Sequence, residues 1–140
     1  QMNKLRNDLS LLPHAIEEMF RWETPVKHFL RTATEDYTLR GRSIKEGDRL
    51  MMMYASGNRD EEVFNNPFEF QVDRRPNKQI AFGYGVHRCL GHLLAKMEMS
   101  AFYKALLERT PDIQLNGDPA WIHATFVSGL KRLPVRFIAR

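Results

Sequence analysis

The pattern of apolar and polar positions predicts two amphipathic helices in this chain. After Pro13, which suits the first turn of a helix, apolar side chains recur at three- and four-residue spacing until Thr24-Pro25 must end the helix. A second apolar stripe marks one face of a longer helix from Leu90 to Leu107, which ends before Pro111. Its members are Leu90, Leu93, Leu94, Met97, Ala101, Phe102, Ala105 and Leu106.

Short strands and irregular chain are predicted elsewhere. Residues 29–33, 37–39 and 49–52 have strand patterns separated by turns at Gly41 and 45–48, which indicates a small antiparallel sheet. Residues 55–81 show neither the helical nor the strand periodicity and are expected to form a long meander. Further short strands are predicted at 113–115 and 133–137. The expected fold class is therefore mixed, mainly helical with small antiparallel sheets.

Composition narrows the possible classes of protein. With 43% hydrophobic and 27% charged residues in 140, the chain is neither disordered nor collagen-like. No apolar run approaches the ~20 residues that cross a bilayer, so we expect no membrane partner. The start lacks a secretory pattern and one cysteine cannot form an internal disulfide, which favours a cytoplasmic location. The formal net charge is +4, but the 21 Lys and Arg residues are scattered among 17 Asp and Glu residues. No basic stripe is present in the sequence, so no nucleic-acid partner is expected.

The candidate chemistry lies in a glycine-punctuated loop, residues 82–91, that leads to the second predicted helix. We expect Cys89 in the first helical turn, where free amides, the helix dipole and Arg88 would stabilise a thiolate. Phe82 can shield the sulfur from water. Three glycines remove side chains where a flat ligand would approach the backbone. They are Gly83, Gly85 and Gly91.

Several chemistries compete for this loop. An inert buried thiol is the default for a lone cysteine. A nucleophilic Cys-His pair would use His87, but no third orienting group can be identified. Zinc would take His87, Cys89 and His92 and lacks a fourth ligand. A dinucleotide-binding loop is excluded because its third glycine is misplaced. The remaining hypothesis is a haem whose iron takes a cysteine thiolate as axial ligand.

The pattern Phe82-Gly-x-Gly-x-His-x-Cys89-x-Gly91 resembles the signature loop of the cytochrome P450 family at all six fixed positions. Upstream, Glu18 and Arg21 resemble the family's Glu-x-x-Arg helix motif. The resemblance implies that Cys89 is the axial ligand of haem b. It also assigns to the cofactor site the other loop positions and a strand arginine. These are Arg31, Phe82, Gly83, Gly85, His87 and Gly91.

The same resemblance implies roles for polar side chains outside the loop. Arg31 and His87 would each hold a haem propionate, a role that suits a planar guanidinium. Glu18 and Arg21 would form a buried network with an arginine of the meander. Both Arg59 and Arg74 are candidates, and we favour Arg59.

The resemblance further implies a monooxygenase that inserts one atom of molecular oxygen into a small apolar substrate. The similarity is strongest to soluble bacterial members that hydroxylate monoterpenes, which makes a terpene the favoured substrate. Electrons would come from a ferredoxin-type protein that approaches Arg88, His92 and Lys96. The expected substrate contacts are Val26, Lys27, Phe29, Phe126 and Val127.

Members of this family are well over twice as long as this chain, and their central oxygen-activating helix has no counterpart here. The resemblance thus implies one partial domain over residues 1–140, the carboxy-terminal part of the cytochrome P450 fold. We expect the chain alone neither to hold haem tightly nor to hydroxylate. The alternative hypothesis is a small non-catalytic module that binds haem or zinc through His87, Cys89 and His92.

Overall fold

A computed structural model describes residues 1–138. Its helices are α1 (Met2–Asn7), α2 (Leu12–Glu23), α3 (Tyr54–Gly57) and α4 (His92–Arg109), and single 3-10 turns form at Leu9–Leu11 and Gly85–His87. The strands before α4 are β1 (His28–Thr32), β2 (Tyr37–Leu39), β3 (Arg42–Ile44) and β4 (Arg49–Met53). Those after α4 are β5 (Asp112–Leu115), β6 (Ala120–Trp121), β7 (Leu130–Arg132) and β8 (Val135–Ile138).

The strands pair as antiparallel two-stranded sheets, β1 with β4, β2 with β3, β5 with β8 and β6 with β7. The mixed, mainly helical fold class is therefore confirmed. The single sheet expected over residues 29–52 is wrong, because it divides into two pairs. The hairpin of β2 and β3 lies in sequence between β1 and β4, which pair with each other. Gly41, with φ +76°, adopts the left-handed conformation that glycine tolerates, and this turn lets β3 pair with β2.

Helix α2 lies between two apolar clusters and forms the centre of the core. Its ends match the prediction, since Pro13 lies in the first turn and Thr24 caps the last turn before Pro25. The first cluster contains Leu5, Ala15, Val72 and Leu107. The second contains Leu12, Ile16, Phe20 and Ala81. Because both clusters use α2, the helix fixes the Glu18 and Arg21 side chains between the core and the meander.

Helix α4 begins at His92, two residues later than the apolar stripe predicts. Cys89 therefore precedes the N-cap residue Gly91 and does not lie in the first helical turn, which corrects that expectation. Leu93, Leu94 and Met97 of the stripe are exposed, whereas Ala95, Met99 and Tyr103 pack on the second cluster. The helix is apolar on more than one side, so periodicity alone does not identify its packed face. None of the helices in residues 1–138 is long and apolar enough to cross a membrane.

Candidate cofactor site

Five of the seven predicted cofactor residues meet at a cavity of about 420 Å³. One wall is the segment around β1, the other is the cysteine loop, residues 82–91, and Phe20 and Tyr54 lie between them. The lining is Phe20, Pro25, Val26, Phe29, Arg31, Tyr54, Ala81, Phe82, Gly83, His87 and Cys89. The structure thus brings Arg31, Phe82, Gly83, His87 and Cys89 together. Gly85 and Gly91 belong to the same loop but do not line the cavity.

Backbone hydrogen bonds shape the cysteine loop. The Cys89 amide donates to the Phe82 carbonyl at 2.8 Å, which closes the loop, and the Arg88 amide donates to the Gly85 carbonyl at 3.1 Å. Gly83 has φ +72°, and a Cβ there would lie 3.3 Å from the His87 carbonyl oxygen. A side chain at position 83 would therefore be both strained and crowded. The closed loop leaves the Cys89 side chain exposed toward the cavity.

Arg31 reaches the cavity from β1. Its Nη1 donates to the Leu30 carbonyl at 2.8 Å, and its guanidinium carbon lies 5.9 Å from the centre of the Phe29 ring. Within residues 1–138, no carboxylate forms a salt bridge with Arg31. Its other guanidinium donors therefore remain able to bind a planar carboxylate.

The described residues do not support the zinc alternative. Across residues 1–138, no three His, Cys, Asp or Glu side chains gather as they would around a metal ion. His92 instead lies with Nδ1 2.8 Å from the Cys89 carbonyl oxygen. That contact holds the imidazole at the start of α4, so the spacing that suggests three ligands does not bring them together.

The two segments that carry the five expected substrate contacts lie against each other. Val26 and Val127 form a β-bridge, and the Lys27 amide donates to the Phe126 carbonyl at 2.9 Å. The Phe29 and Phe126 rings meet edge to face with centroids 5.2 Å apart. The Lys27 ammonium donates to the Ala124 carbonyl at 2.8 Å, so its charge ties β1 to the later loop. Val26 and Phe29 are the members that line the cavity itself.

Outside the cavity lining, Glu18 is the centre of a buried polar network, which we call the Glu18 cluster: Glu18, Arg21 and Arg74. Both carboxylate oxygens accept from Arg21 at 2.7 Å, and Arg74 Nε lies 3.2 and 3.0 Å from the same two oxygens. The Gln71 amide and the Asn77 side chain also donate to Glu18, at 2.9 and 3.1 Å. Glu18 and Arg21 are fully buried, so these bonds replace the lost hydration.

The preference for Arg59 as the third member of this network is wrong. Arg74 binds Glu18, whereas Arg59 donates to the Trp22 carbonyl at 2.8 Å and its guanidinium lies 5.1 Å from the Trp22 ring centre. The carbonyls that hold each guanidinium explain the difference. The Trp22 carbonyl holds Arg59, whereas three carbonyls within residues 65–69 hold Arg74 at the carboxylate.

The cluster keeps Glu18 charged. Burial alone raises the pKa of Glu18, but hydrogen bonds from Arg21 and the Gln71 amide, together with the charge of Arg21, hold it below the ordinary value of 4.5. A charged carboxylate accepts from every donor around it. The cluster is therefore a structural ion network, and none of its three members lines the cavity.

Of the three residues expected to contact the electron donor, Lys96 and His92 already have partners within the chain. Lys96 forms an ion pair with Glu17, and its ammonium lies 5.7 Å from the centre of the Phe82 ring. His92 is held by the Cys89 carbonyl. Arg88 is exposed beside the cysteine and is the member of this set most available to an acidic protein.

Sequence reasoning missed Tyr54 and Asn58. Tyr54 is buried, lines the cavity and places its hydroxyl 3.5 Å from the position of a Cβ on Gly83. Asn58 is fully buried and bonds to two distant segments. Tyr54 could have been found from the sequence, because an aromatic residue that ends an apolar strand indicates a buried ring. Asn58 could not, because a polar residue in an irregular segment gives no sign of burial.

Comparisons with known proteins agree with the geometry. The family model described as cytochrome P450 matches residues 2–111. Cytochrome P450-terp of a Pseudomonas species is 47% identical over 98% of this chain and 32% of the relative. A steroid C26-monooxygenase of Mycolicibacterium smegmatis is 45% identical over 98% of this chain and 35% of the relative. The chain thus spans about a third of the length of these curated relatives.

Solved structures show the same architecture. P450BioI, in complex with an acyl carrier protein bearing hexadec-9Z-enoic acid, has a TM-score of 0.95 and 35% identity over 99% of this chain and 36% of its own. A cytochrome P450 from Bacillus megaterium in complex with corticosterone has a TM-score of 0.90 and 37% identity over 96% and 36%. The family's cofactor is haem b. By its matched residues and its fold, this chain belongs to the cytochrome P450 family.

Proposed function

We propose that this chain supplies the cysteine-bearing side of the haem site in a monooxygenase that inserts one atom of molecular oxygen into a small apolar substrate. The carrying observation is that Cys89, Arg31 and His87 line one cavity whose other walls are mostly apolar. The chain spans about a third of its curated relatives, so the proposal concerns a protein that contains these residues together with the rest of such a chain.

The donor set suits haem b. Cys89 offers one sulfur to iron, the Arg31 guanidinium and the His87 imidazole offer donors to propionates, and the apolar walls suit a flat macrocycle. A thiolate-bound haem supplies oxygen activation, because the sulfur pushes electron density that favours O–O cleavage. The residues of this chain would bind and orient the group, and Phe82 and Phe29, which line the cavity, would shield it from water. A reducing cytoplasm suits an exposed single thiol that must remain unoxidised.

We propose a terpene as the substrate. The surface formed by Val26, Phe29, Phe126 and Val127 has apolar side chains and no buried charge to recognise a polar group. The similarity to cytochrome P450-terp supports this class, while the steroid relative is the competing case.

Two full-length chimeras separate these substrates. In each, the 140 residues of this chain replace the matching segment, once in cytochrome P450-terp and once in the steroid C26-monooxygenase. A monoterpene alcohol and a steroid are titrated against both chimeras and both parents, and binding is followed by the haem absorption band. A gain in terpene affinity over the steroid parent supports the proposal. Unchanged steroid preference assigns specificity to the rest of the chain and contradicts it.

The proposed electron donor is an acidic ferredoxin-type protein that docks near Arg88. Because exposed charges steer association, Arg88→Glu in the cytochrome P450-terp chimera should slow reduction by the ferredoxin and weaken its dependence on salt. Arg42→Glu, in β3, is the matched control because it reverses an exposed charge away from the cysteine loop. Equal effects of the two variants would contradict docking at Arg88.

The chain alone is expected to hold haem loosely and to lack hydroxylase activity. Val86 and Leu90 of the cysteine loop are 97% and 99% exposed, so no residue within 1–138 covers these two apolar side chains. Haemin titration of the isolated chain should give weak binding. Tight stoichiometric binding with a thiolate spectrum and turnover would contradict this expectation.

The proposed function is tested by the spectrum of the reduced, carbon-monoxide-bound chimera built on cytochrome P450-terp. The unmutated chimera should show the red-shifted Soret band of a thiolate-ligated haem, and Cys89→Ser should abolish it. The control is Ser10→Ala, at an exposed position far from Cys89 in the sequence. Retention of the red-shifted band in Cys89→Ser would overturn the assignment of the ligand.

A further inference from the structure

The side chain of Asn58 joins segments that are far apart in sequence. Asn58 is fully buried at the end of α3. Its Oδ1 accepts from the Ile80 amide at 2.8 Å, and its Nδ2 donates to the Thr24 hydroxyl at 2.8 Å. Its backbone carbonyl accepts from Arg21 at 2.8 Å. One residue therefore links α2, the meander and the segment before the cysteine loop.

The Thr24 end of this link leads into one wall of the cavity. Thr24 is buried and has φ 45°, a left-handed conformation that is unfavourable for a β-branched residue. Its hydroxyl donates to the Arg21 carbonyl at 2.8 Å and accepts from Asn58. Such a conformation persists only where the surroundings hold it. Pro25 and Val26, which line the cavity, follow directly.

The Ile80 end leads into the opposite wall. The Gly83 amide donates to the Ile80 carbonyl at 2.8 Å, and Ala81, Phe82 and Gly83 line the cavity. Gly57 permits the close approach, because a Cβ there would lie 2.8 Å from Ile80 Cδ1. The Asn58 carboxamide thus fixes the backbone of Ile80, whereas a side chain at position 57 would meet only the end of the Ile80 side chain.

We propose that Asn58 is a positioning residue that fixes the separation of the two cavity walls and thereby the placement of Cys89. It acts through the backbone of Ile80 and through Thr24, and it does not line the cavity. This inference rests on the proposed function, because the cavity is the site proposed for haem. A carboxamide meets the requirement since it accepts on one side and donates on the other.

The test uses Asn58→Leu, Asn58→Asp and Gly57→Ala in the full-length chimera built on cytochrome P450-terp. Leucine removes both bonds at similar volume, and aspartate keeps the acceptor for Ile80. Alanine at position 57 displaces the end of the Ile80 side chain while leaving Asn58 intact. The control is Val72→Ala, which weakens the core cluster around Leu5 and Leu107 without touching either wall.

The measurements are the rate of haem loss to an acceptor protein well below the unfolding temperature, and the share of the reduced carbon-monoxide complex with the thiolate band. Asn58→Leu should speed haem loss about tenfold and lower the thiolate share, because a buried amide loses its partner. Gly57→Ala should shift both in the same direction but by less, because the end of the Ile80 side chain can turn aside while its backbone stays bonded to Asn58. Asn58→Asp should lie between Asn58→Leu and the unmutated chimera. Val72→Ala should lower the unfolding temperature only.

Each outcome separates the hypotheses. If the unmutated chimera lacks the thiolate band, the proposed function itself fails. If it has the band and both Asn58→Leu and Gly57→Ala retain normal haem loss and the full thiolate share, the positioning role is overturned. Equal spectral changes in Val72→Ala would also overturn it, since general loss of stability would then suffice. If Asn58→Leu does not fold, the order of Gly57→Ala and Asn58→Asp against Val72→Ala decides the question.

Discussion

The Glu18 cluster and the cysteine loop differ in whether their functional groups already have partners among the described residues. In the cluster, a buried carboxylate accepts from two arginines, a backbone amide and an asparagine side chain, all supplied by described residues of the chain. In the loop, Cys89 is exposed and Leu90 is 99% exposed. The cluster is complete without a ligand, whereas the loop presents groups that a ligand would cover. The difference assigns stability to the first region and binding to the second.

Breaking the cluster should give the largest effect. Glu18→Ala leaves Arg21 and Arg74 buried without their carboxylate, a change that typically costs about 3–5 kcal/mol. We expect the urea midpoint of the chain to fall sharply. Glu62→Ala removes an exposed partner of Arg40 and should change the midpoint little. Similar midpoints for the two variants would remove the distinction between the regions.

The second largest effect on stability is expected at the meander arginine Arg74, and it should exceed the effect at Arg59. Arg74→Met removes a buried ion pair and should cost about 3 kcal/mol, near the lower end of the usual range, because Arg21 still neutralises Glu18. Arg59→Met loses a hydrogen bond to the Trp22 carbonyl and its contact with that ring, and should cost about 1 kcal/mol. Urea denaturation measures both. The reverse order would restore Arg59 as the member of the network.

The comparison of Arg74 with Arg59 shows which parts of the buried network the sequence could predict and which it could not. The Glu18 and Arg21 pair follows from their spacing of three on a predicted helix, because such residues are neighbours on its surface. Which meander arginine joins them depends on how 55–81 folds, and that segment has no periodicity. Asn58 and Thr24 were missed for the same reason, since their bond spans 34 positions.

Acid should weaken the cluster in a predictable direction. The pKa of Glu18 is lowered in the fold, so its contribution to stability is present above the ordinary value of 4.5 and is lost as pH falls through the folded pKa. Glu18→Gln removes this proton linkage. Unfolding free energy measured from pH 7 down to pH 3 should therefore fall less steeply in Glu18→Gln than in the unmutated chain. Parallel curves would show that Glu18 does not carry the linkage.

The smallest effect on stability is expected on the exposed face of α4. Met97→Gln should change the free energy of unfolding by less than about 0.5 kcal/mol, because the side chain is exposed. It should nonetheless reduce self-association of the isolated chain, since Leu93, Leu94 and Met97 form an apolar patch. Light scattering after size-exclusion chromatography measures the association. Met99→Gln, on the packed side, is the contrasting variant and should destabilise the chain.

The same contrast marks the limits of sequence analysis at the cysteine loop. The resemblance of the loop motif predicts that Phe82, His87 and Cys89 belong to one site, and all three line the same cavity. The start of α4 was misplaced because Leu90 continues the apolar stripe before the helix begins. The closeness of Arg31 to Cys89 across the cavity follows from tertiary packing and from the resemblance, since local patterns do not relate positions 31 and 89.

The central claim is that the Cys89 sulfur is a ligand of haem iron, and iron X-ray absorption tests it most directly. The fine structure at the iron edge of the haem-loaded chimera built on cytochrome P450-terp should require one sulfur neighbour in addition to the porphyrin nitrogens. In Cys89→Ser that sulfur contribution should disappear. An iron environment without sulfur in the unmutated chimera, or with sulfur retained in Cys89→Ser, would contradict the account.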